Sequence, residues 1–504
     1  MKMKIKISKR FLMLPYEAQA QRKKLILKMD QQIKAELDIR LGSQPDFFLP
    51  YDLMPFIGEE MEMEIQPDAV FAPVFSDQPD TSNLYKEKYR PAAHFSAAYG
   101  WINDPNGLVF YEGKYHLFFQ HNPAGPIWDN MHWGHAVSSD LLHWQQLDDI
   151  LFPDDTGTMF SGCAVIDERN VSGLKCNDHA PLLLFYTAAG GTSLRSHGTS
   201  FTQRLAYSVD GGQTFQKFHQ VMVPHIAAEN RDPKVIFCEE MDCYLMALYL
   251  QGRDFMLLSS KDLLHWKELQ CIRIEDDDEC PDIYPLSLDG EQFWVMTAAH
   301  DRHLIGRISN DGFTPIQPAQ QLQHGQLYAA QTFFGIPAHR RIRFSWNKAL
   351  IPGMPFQGAM STPHDMFLRR IHGRIHLCAQ PIAEFDQLHD AALLGTNQIH
   401  LPGKAHDLYV TLPAEGCYTL NMLGLQLTID VAQGVIKAGQ ETVPFHCDAK
   451  ELPLRIIQDV HSTEFFINHG EKILCLQHIA DYSLPFLFCP GARIQGWSLK
   501  NIWE

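Results

Sequence analysis

The stretch Ser138–Trp144 (SSDLLHW) returns almost unchanged as Ser259–Trp266 (SSKDLLHW), and this repeat carries the fold prediction. Weaker copies, each with a serine two residues before an aspartate, lie around Asp210 and Asp311, so the four aspartates are separated by 70, 52 and 49 residues. A β-propeller blade contains four strands and about 40–50 residues, with one turn signature per blade. We therefore predict a five-bladed β-propeller over residues 89–380, with each copy forming a hairpin turn between outer strands of a blade. The alternative is that such turns recur by chance in an ordinary all-β protein.

The regions on either side of this repeat have different patterns of apolar and polar residues. Residues 385–504 alternate between apolar and polar side chains without the turn signature, which predicts a separate β-sandwich and an all-β chain overall. Residues 1–88 form an N-terminal extension in which residues 15–41 are predicted to be one helix that ends before Gly42. This helix could pack on the main body or form a homodimer. The evidence for the helix is an apolar residue at every fourth position: Leu25, Met29, Ile33, Leu37 and Leu41.

Composition excludes several classes of function. The chain has 504 residues and a net charge of −17, which argues against nucleic acid and against an anionic membrane surface as partners. The apolar run Phe11–Leu14 stops at Pro15, which is too short for a signal-peptide core. The eleven cysteines show no metal-binding or paired spacing, so we expect reduced thiols, a cytoplasmic location and no metal or cofactor.

Three acidic residues stand beside prolines in short, turn-prone stretches: Asp104 in WINDPNG, Asp232 in RDP and Glu279 in DECPD. The stretches are far apart in sequence, but a propeller brings the inner strands of all its blades together around one channel. Cleavage of a glycosidic bond needs one carboxylate at the anomeric carbon and a second carboxyl group to protonate the leaving oxygen. The acids 276–278 just before Glu279 are expected to disfavour its ionisation, which suits a proton donor.

Several ordered motifs give this sequence a resemblance to glycoside hydrolase family 32, the group of invertases, sucrose-6-phosphate hydrolases and fructanases. The resemblance runs from about residue 89 to the C-terminus. The motifs that carry it are Tyr89–Pro91, His94–Phe95, Trp101–Gly107, Trp133–Ala136, Ser138–Trp144, Phe160–Gly162, Arg231–Pro233, Glu279–Asp282 and Tyr328–Thr332.

The resemblance implies a role for each acid. Asp104 is expected to be the nucleophile that forms a covalent fructosyl-enzyme, and Glu279 the general acid and base. Asp232, with Arg231 beside it, is expected to hold fructose hydroxyls and stabilise the transition state. The implied mechanism is retaining, so the carboxyl groups of Asp104 and Glu279 should lie about 5–5.5 Å apart. The implied sugar-binding residues are Asn103, Gln120, Trp128, Phe160, Ser161, Arg231 and Trp346.

The leading hypothesis is therefore a β-fructofuranosidase whose partner is a small sugar, either sucrose or sucrose 6-phosphate. A fructan hydrolase or a fructosyltransferase would use the same acids. An arabinan- or xylan-cleaving propeller enzyme would invert the anomeric configuration and have a wider carboxyl gap. A sugar-binding propeller without activity is the rival outside the enzymes.

Overall fold

The computed structural model describes residues 1–68, 71–447 and 449–504, and almost all regular structure in this part of the chain is β-strand. The all-β prediction is confirmed. The described helices are three short 3-10 segments, Met54–Phe56, Pro337–His339 and Ala383–Leu388. None of these described helices is long or apolar enough to cross a lipid bilayer.

The N-terminal region folds as a small β-unit, and the predicted helix over residues 15–41 is wrong. Its strands are β1 (Lys2–Lys6), β2 (Phe11–Tyr16), β3 (Lys23–Met29), β4 (Gln32–Ile39), β5 (Phe47–Asp52), β6 (Glu60–Gln66) and β7 (Val74–Ser76). They form two sheets, in the orders β1-β6-β3-β4 and β5-β2-β7, around an apolar core of their own.

The wrong prediction has a simple physical cause. Side chains four positions apart share a face of a strand, whose period is two, as well as lying close on a helix. The turn residues Asp30 and Gln31 both have positive φ, 51° and 66°, and they join β3 to β4 as a two-residue hairpin loop. The suggestion that a helix over residues 15–41 forms a homodimer therefore has no support.

Five successive sheets follow, and each contains four antiparallel strands in chain order. The first two sheets consist of β8 (Gly100–Tyr111), β9 (Lys114–Asn122), β10 (His132–Ser138) and β11 (Trp144–Leu151), then β12 (Thr158–Ile166), β13 (Leu182–Ala189), β14 (Thr202–Ser208) and β15 (Gln216–Lys217). The next two consist of β16 (Arg231–Cys238), β17 (Cys243–Gln251), β18 (Asp254–Ser260) and β19 (Lys267–Arg273), then β20 (Asp282–Leu288), β21 (Glu291–Thr297), β22 (Arg302–Ser309) and β23 (Gly312–Pro315).

The fifth sheet completes the set, and short strands are added to it and to the first and fourth sheets. Its four main strands are β26 (Leu327–Thr332), β27 (Ile342–Asn347), β30 (His364–Ile371) and β31 (Arg374–Pro381). The short strands are β24 (Gln320–Gln321) against β22, β28 (Phe356–Gln357) against β8 and β29 (Ala359–Met360) against β27.

The repeated turn occupies the same place in four of these sheets, where it connects the third strand to the fourth. In the first sheet, Asp140 Oδ1 accepts hydrogen bonds from the backbone N–H groups of Leu142 and His143, at 2.9 and 2.8 Å. Asp262 Oδ1 makes the equivalent bonds in the third sheet, at 3.0 and 2.8 Å. The predicted hairpin turn is confirmed, because a serine and an aspartate are enough to close it locally.

The first strands of the five sheets contact one another in a closed order. β8 contacts β12, β12 contacts β16, β16 contacts β20, β20 contacts β26, and β26 contacts β8 again. Residues more than two hundred positions apart in sequence therefore meet around one axis.

The C-terminal region forms one large sheet in which β25 (Gln323–Gly325), from the middle of the chain, pairs in parallel with β40 (Lys472–Gln477). Its other strands are β32 (His389–His400), β33 (His406–Pro413), β34 (Cys417–Met422), β35 (Leu425–Asp430), β36 (Val435–Ala438), β37 (Glu441–Pro444), β38 (Glu451–Gln458), β39 (Ser462–Ile467), β40 (Lys472–Gln477) and β41 (Phe486–Leu499). The end strands β25 and β37 come into contact, so this eleven-stranded sheet is nearly closed on itself.

His94 fastens the C-terminal sheet to the rest of the protein. Its Nδ1 lies 2.7 Å from Asp459 Oδ2 and its Nε2 lies 3.1 Å from Glu464 Oε1, and all three side chains are fully buried. Burial lowers the pKa of His94, but the bonds to the two carboxylates outweigh it and raise that pKa to about 10. The imidazolium is therefore the counter-charge of two buried acids.

His94→Ala is expected to lower the free energy of unfolding by about 3–5 kcal/mol, because it leaves two carboxylates buried without their cation. Thermal and urea unfolding measure the change. His265→Ala is the matched control, since it removes an exposed histidine from an aspartate and should change little. An unchanged unfolding midpoint for His94→Ala would contradict this account.

Candidate active site

One cavity of about 440 Å³ is lined by all ten residues that the sequence predicted for the site. They are Asn103, Asp104, Gln120, Trp128, Phe160, Ser161, Arg231, Asp232, Glu279 and Trp346. The lining also contains four residues to which the sequence analysis gave no role: Thr192, Phe201, Glu229 and Tyr328. Tyr328 belongs to a quoted motif, whereas the other three lie in loops without a recognisable pattern.

The acidic and polar groups come from the first strand of each sheet. Asp104 lies on β8, Ser161 on β12, Asp232 on β16 and Tyr328 on β26, while Glu279 lies in the turn just before β20. Because these strands form a ring, the side chains that they contribute meet at the same end.

Asp104 is oriented by a short hydrogen bond. Ser161 Oγ donates to Asp104 Oδ2 at 2.6 Å. Burial raises the pKa of Asp104, and the nearby charge of Glu279 acts in the same direction, whereas the bonds from Ser161 and Asn103 oppose them. The contacts hold the carboxylate in one orientation inside the cavity.

Cys280 stands between two of the acids. Its Sγ lies 3.5 Å from Asp104 Oδ2 and 3.4 Å from Asp232 Oδ2, and its backbone N–H donates to Asp232 Oδ2 at 3.1 Å. Burial, together with the neighbouring acids, raises the pKa of this thiol well above its ordinary value, so it stays neutral. One small side chain thus links the acids of β8 and β16.

The surroundings of Asp232 strongly disfavour its ionised form. Burial raises the pKa of Asp232 to about 7, and the charges of Asp104 and Glu279 add to this, although the Arg231 guanidinium 3.8 Å away opposes them. Its backbone N–H donates to Thr187 Oγ1 at 3.0 Å, which fixes the start of β16.

Asp232→Asn is expected to flatten the pH dependence of stability between about pH 4 and pH 7. An unfolded aspartate titrates near pH 3.9, so over this range the folded protein binds a proton that the unfolded chain does not. The carboxyl group therefore contributes stability at low pH, and that contribution is lost as the pH rises through about 7. Asparagine does not titrate, so the free energy of unfolding of the variant should rise relative to that of the wild type from about pH 4 to pH 7.

Urea unfolding at several pH values across that range measures the difference. Asp311→Asn replaces an exposed aspartate of the fourth sheet and should give a curve parallel to the wild type. If Asp232→Asn also ran parallel, the burial effect on Asp232 would be disproved.

Glu279 is bound at both oxygens. Arg231 Nη2 donates to Oε1 at 2.6 Å, and the Tyr328 hydroxyl donates to Oε2 at 3.1 Å. The carboxylate is thus placed by groups from β16 and β26.

Two of the three acids that precede Glu279 bind other residues. Asp276 pairs with Arg253 at 2.9 Å, and Asp277 accepts backbone hydrogen bonds from His300 and Arg302, each at 2.9 Å. These two acids stabilise loops instead.

The backbone around the acids is strained. Asp232, Glu279, Cys280 and Ala329 all have positive φ, between 40° and 64°. A non-glycine residue in this region costs of order 1 kcal/mol or more, and such residues cluster at functional sites. The surrounding sheets therefore hold the acids in positions that the local chain disfavours.

Two residues that line the cavity carry a buried N–H group without a partner among the described residues. These groups are Gln120 Nε2 and Trp346 Nε1. A buried hydrogen-bond donor without an acceptor costs free energy, so each of these N–H groups is suited to donate to a hydroxyl of a bound ligand. Trp128 is 54% exposed and packs edge-on against Phe160, with ring centroids 5.9 Å apart, which leaves one aromatic face open.

Two clusters in the described part of the chain could hold a metal ion, and neither lines the cavity. They are Asp277, Asp278 and His300, and Asp386, His389 and Asp407. Both already bind protein groups: Asp277 caps the turn at residue 300, and Arg455 donates to Asp407 at 2.7 and 3.0 Å.

A set of carboxyl groups that line a sugar-sized cavity, at one end of a ring of β-sheets, defines the class of site found in glycoside hydrolases. The model of the glycosyl hydrolases family 32 N-terminal domain matches residues 94–381, and the chain belongs to this family. The resemblance inferred from the motifs is confirmed.

Individual relatives agree with this assignment. The levanase of Bacillus subtilis (strain 168) is 28% identical over 477 residues, which cover 82% of this chain and 68% of the levanase. The fructan beta-fructosidase of Streptococcus mutans is 33% identical over 342 residues, which cover 61% of this chain and 23% of that protein.

The fold has close counterparts among solved structures. The exo-inulinase from Aspergillus awamori superposes with a TM-score of 0.76 at 23% identity, covering 83% of this chain and 100% of that one.

Proposed function

We propose that this protein is a retaining hydrolase of terminal β-D-fructofuranosides that acts through a covalent fructosyl-enzyme. The observation that carries the proposal is the common cavity of Asp104, Asp232 and Glu279, with Cys280 in contact with the first two. We also propose that the five sheets are the blades of a propeller, because their first strands contact one another in a closed ring.

In the proposed first step, Asp104 attacks the anomeric carbon of the terminal fructose while Glu279 protonates the leaving oxygen. The bond from Ser161 orients the attacking carboxylate. Arg231 and Tyr328 place the Glu279 carboxyl group on the other side of the scissile bond. In the second step Glu279 activates water, which releases fructose from Asp104.

Asp232 is proposed to bind fructose hydroxyls. A carboxyl group accepts two hydrogen bonds from neighbouring hydroxyls, and these strengthen as positive charge develops on the ring. Gln120 and Trp346 would donate to other hydroxyls, since their buried N–H groups find no acceptor in the described protein.

The retaining mechanism is tested by following the anomers of fructose by NMR immediately after sucrose is added. Retention gives the β-anomer first. Initial release of the α-anomer would favour the inverting, arabinan- or xylan-type alternative. Product ratios at high sucrose separate hydrolysis from transfer, since glucose in excess of free fructose indicates a fructosyltransferase.

Unphosphorylated fructosides are the substrates that the cavity favours. Among the described residues that line it, Arg231 is the only cation, and it is already paired with Glu279. A phosphate on the sugar would bring about two negative charges beside three acids. We therefore favour sucrose or the ends of fructan chains over sucrose 6-phosphate.

The expected result is a kcat/KM for sucrose at least about 10-fold higher than for sucrose 6-phosphate, since like charges in a confined site cost of order 1 kcal/mol or more. Parallel measurements on inulin and levan rank the fructans. A preference for the phosphorylated sugar would refute this part of the proposal. A cytoplasmic location remains part of the proposal, as does catalysis without a cofactor.

A further inference from the structure

The hairpin β3–β4 of the N-terminal unit touches two loops that line the cavity. One loop, residues 123–131, carries Trp128, and the other, residues 190–201, carries Thr192 and Phe201. The hairpin itself contributes no residue to the cavity lining. It therefore acts on the cavity through the loops.

The first loop is held by a pair of backbone-to-amide hydrogen bonds. The Asp38 N–H donates to Asn130 Oδ1, and Asn130 Nδ2 donates to the Asp38 carbonyl, both at 2.8 Å. Next to them, Arg22 Nη2 lies 2.6 Å from Asp129 Oδ2. These contacts fasten the chain one and two residues after Trp128.

The second loop is held by a buried carboxylate. The Leu194 N–H donates to Glu36 Oε1 at 2.7 Å, and Glu36 is only 8% exposed. The neighbouring Arg195 Nη1 donates to the Lys34 carbonyl at 2.9 Å. Both contacts come from β4, and they fix the loop two and three residues after Thr192.

The loop residues lie where a leaving group must pass. An enzyme that removes a terminal sugar admits that sugar to the acids, so the remainder of the substrate projects towards the open mouth. Trp128 and Thr192 are exposed cavity-lining residues, whereas Gln120 and Asp232 lie deep. The matched family domain begins at residue 94, so the N-terminal unit lies outside it.

We infer that the N-terminal unit is a positioning element: Glu36 and Arg22 hold the two mouth loops and thereby set the affinity for the leaving group, above all for oligofructans. This inference rests on the proposed function. A long leaving group contacts more of the mouth than the glucose of sucrose, so loosened loops weaken its binding more. The chemistry at the acids is left unchanged.

The test compares Glu36→Ala and Arg22→Ala with Glu36→Gln and Glu64→Ala. Glu36→Gln keeps an oxygen that accepts the Leu194 N–H. Glu64 is a matched control, because it is only 7% exposed, lies on β6 of the same sheet and binds Lys28 at 2.7 Å. KM and kcat are measured on sucrose and on the fructan tetrasaccharide nystose, and amide hydrogen exchange is followed in residues 123–131 and 190–201.

The expected result is a KM for nystose raised about 5- to 10-fold in Glu36→Ala and Arg22→Ala, with less than about a 2-fold change in kcat or in KM for sucrose. Exchange should accelerate in the loop that each variant releases. Glu36→Gln should restore the wild-type values, and Glu64→Ala should leave both loops and both KM values unchanged.

Equal effects of Glu64→Ala and Glu36→Ala would overturn the inference, because they would show general destabilisation. Faster exchange without a change in KM for nystose would overturn it as well. Failure of the proposed function is a separate outcome, in which the wild-type protein releases no fructose from either substrate.

Discussion

Asp104→Asn should reduce fructose release from sucrose on the order of 10⁴-fold or more, while the protein remains folded. An amide cannot form the covalent bond to the anomeric carbon that the proposed mechanism needs. It can still accept the hydrogen bond from Ser161, so the loss should appear in kcat, with little change in the unfolding transition. Initial rates and urea unfolding of the same preparation measure both quantities.

The matched control is again Asp311→Asn, which makes the same chemical change on an exposed turn and should keep wild-type kinetics. Intact mass must confirm the substitution, because an amide can revert by hydrolysis. A confirmed variant that turned over at the wild-type rate would remove Asp104 from the role of nucleophile.

Glu279→Gln is expected to slow sucrose hydrolysis by about 10²- to 10⁴-fold, the usual contribution of a general acid. Fructosyl fluoride should react with the variant much better than sucrose does, because fluoride leaves without a proton. Since the variant also lacks the base for the second step, the fructosyl-enzyme should accumulate. Intact mass spectrometry after mixing with fructosyl fluoride would detect one added fructosyl unit.

Glu275→Gln, four residues earlier and exposed, is the control and should behave as the wild type. An equal rate loss on sucrose and on fructosyl fluoride, without an adduct, would mean that Glu279 does not protonate the leaving group. Combining the change with Asp104→Asn should abolish the adduct, which would assign the covalent bond to Asp104.

The sequence predicted the local features of this protein well. The turn at Asp140 and its copy at Asp262 use side chains within a few residues of each other, so a short string contains all the information needed to form them. The three acids could also be chosen from short strings, because each lies within two residues of a proline in a turn-prone stretch. All ten candidate residues accordingly line one cavity.

In the N-terminal region the periodicity of the sequence does not distinguish a helix from a β-hairpin. Leu25 and Leu37 are both fully buried, but they face each other across a hairpin rather than lying on one helix. An apolar residue at every fourth position fits either structure. The two-residue turn that begins at Asp30 makes this segment a hairpin and not a helix. The turn contains neither glycine nor asparagine, so the sequence indicated a hairpin only weakly.

By itself, therefore, the sequence determined the repeating turns and the all-β class and singled out the three acids as candidates, since these depend on neighbouring residues and on composition. Only the tertiary structure decided which groups meet the acids: Arg231 and Tyr328 at Glu279, and Cys280 between Asp104 and Asp232. It also decided that Glu36 supports the mouth of the cavity across 158 positions of sequence. Such contacts are set by the closing of the ring of strands and by the packing of the N-terminal unit against it, and no local pattern of residues encodes them.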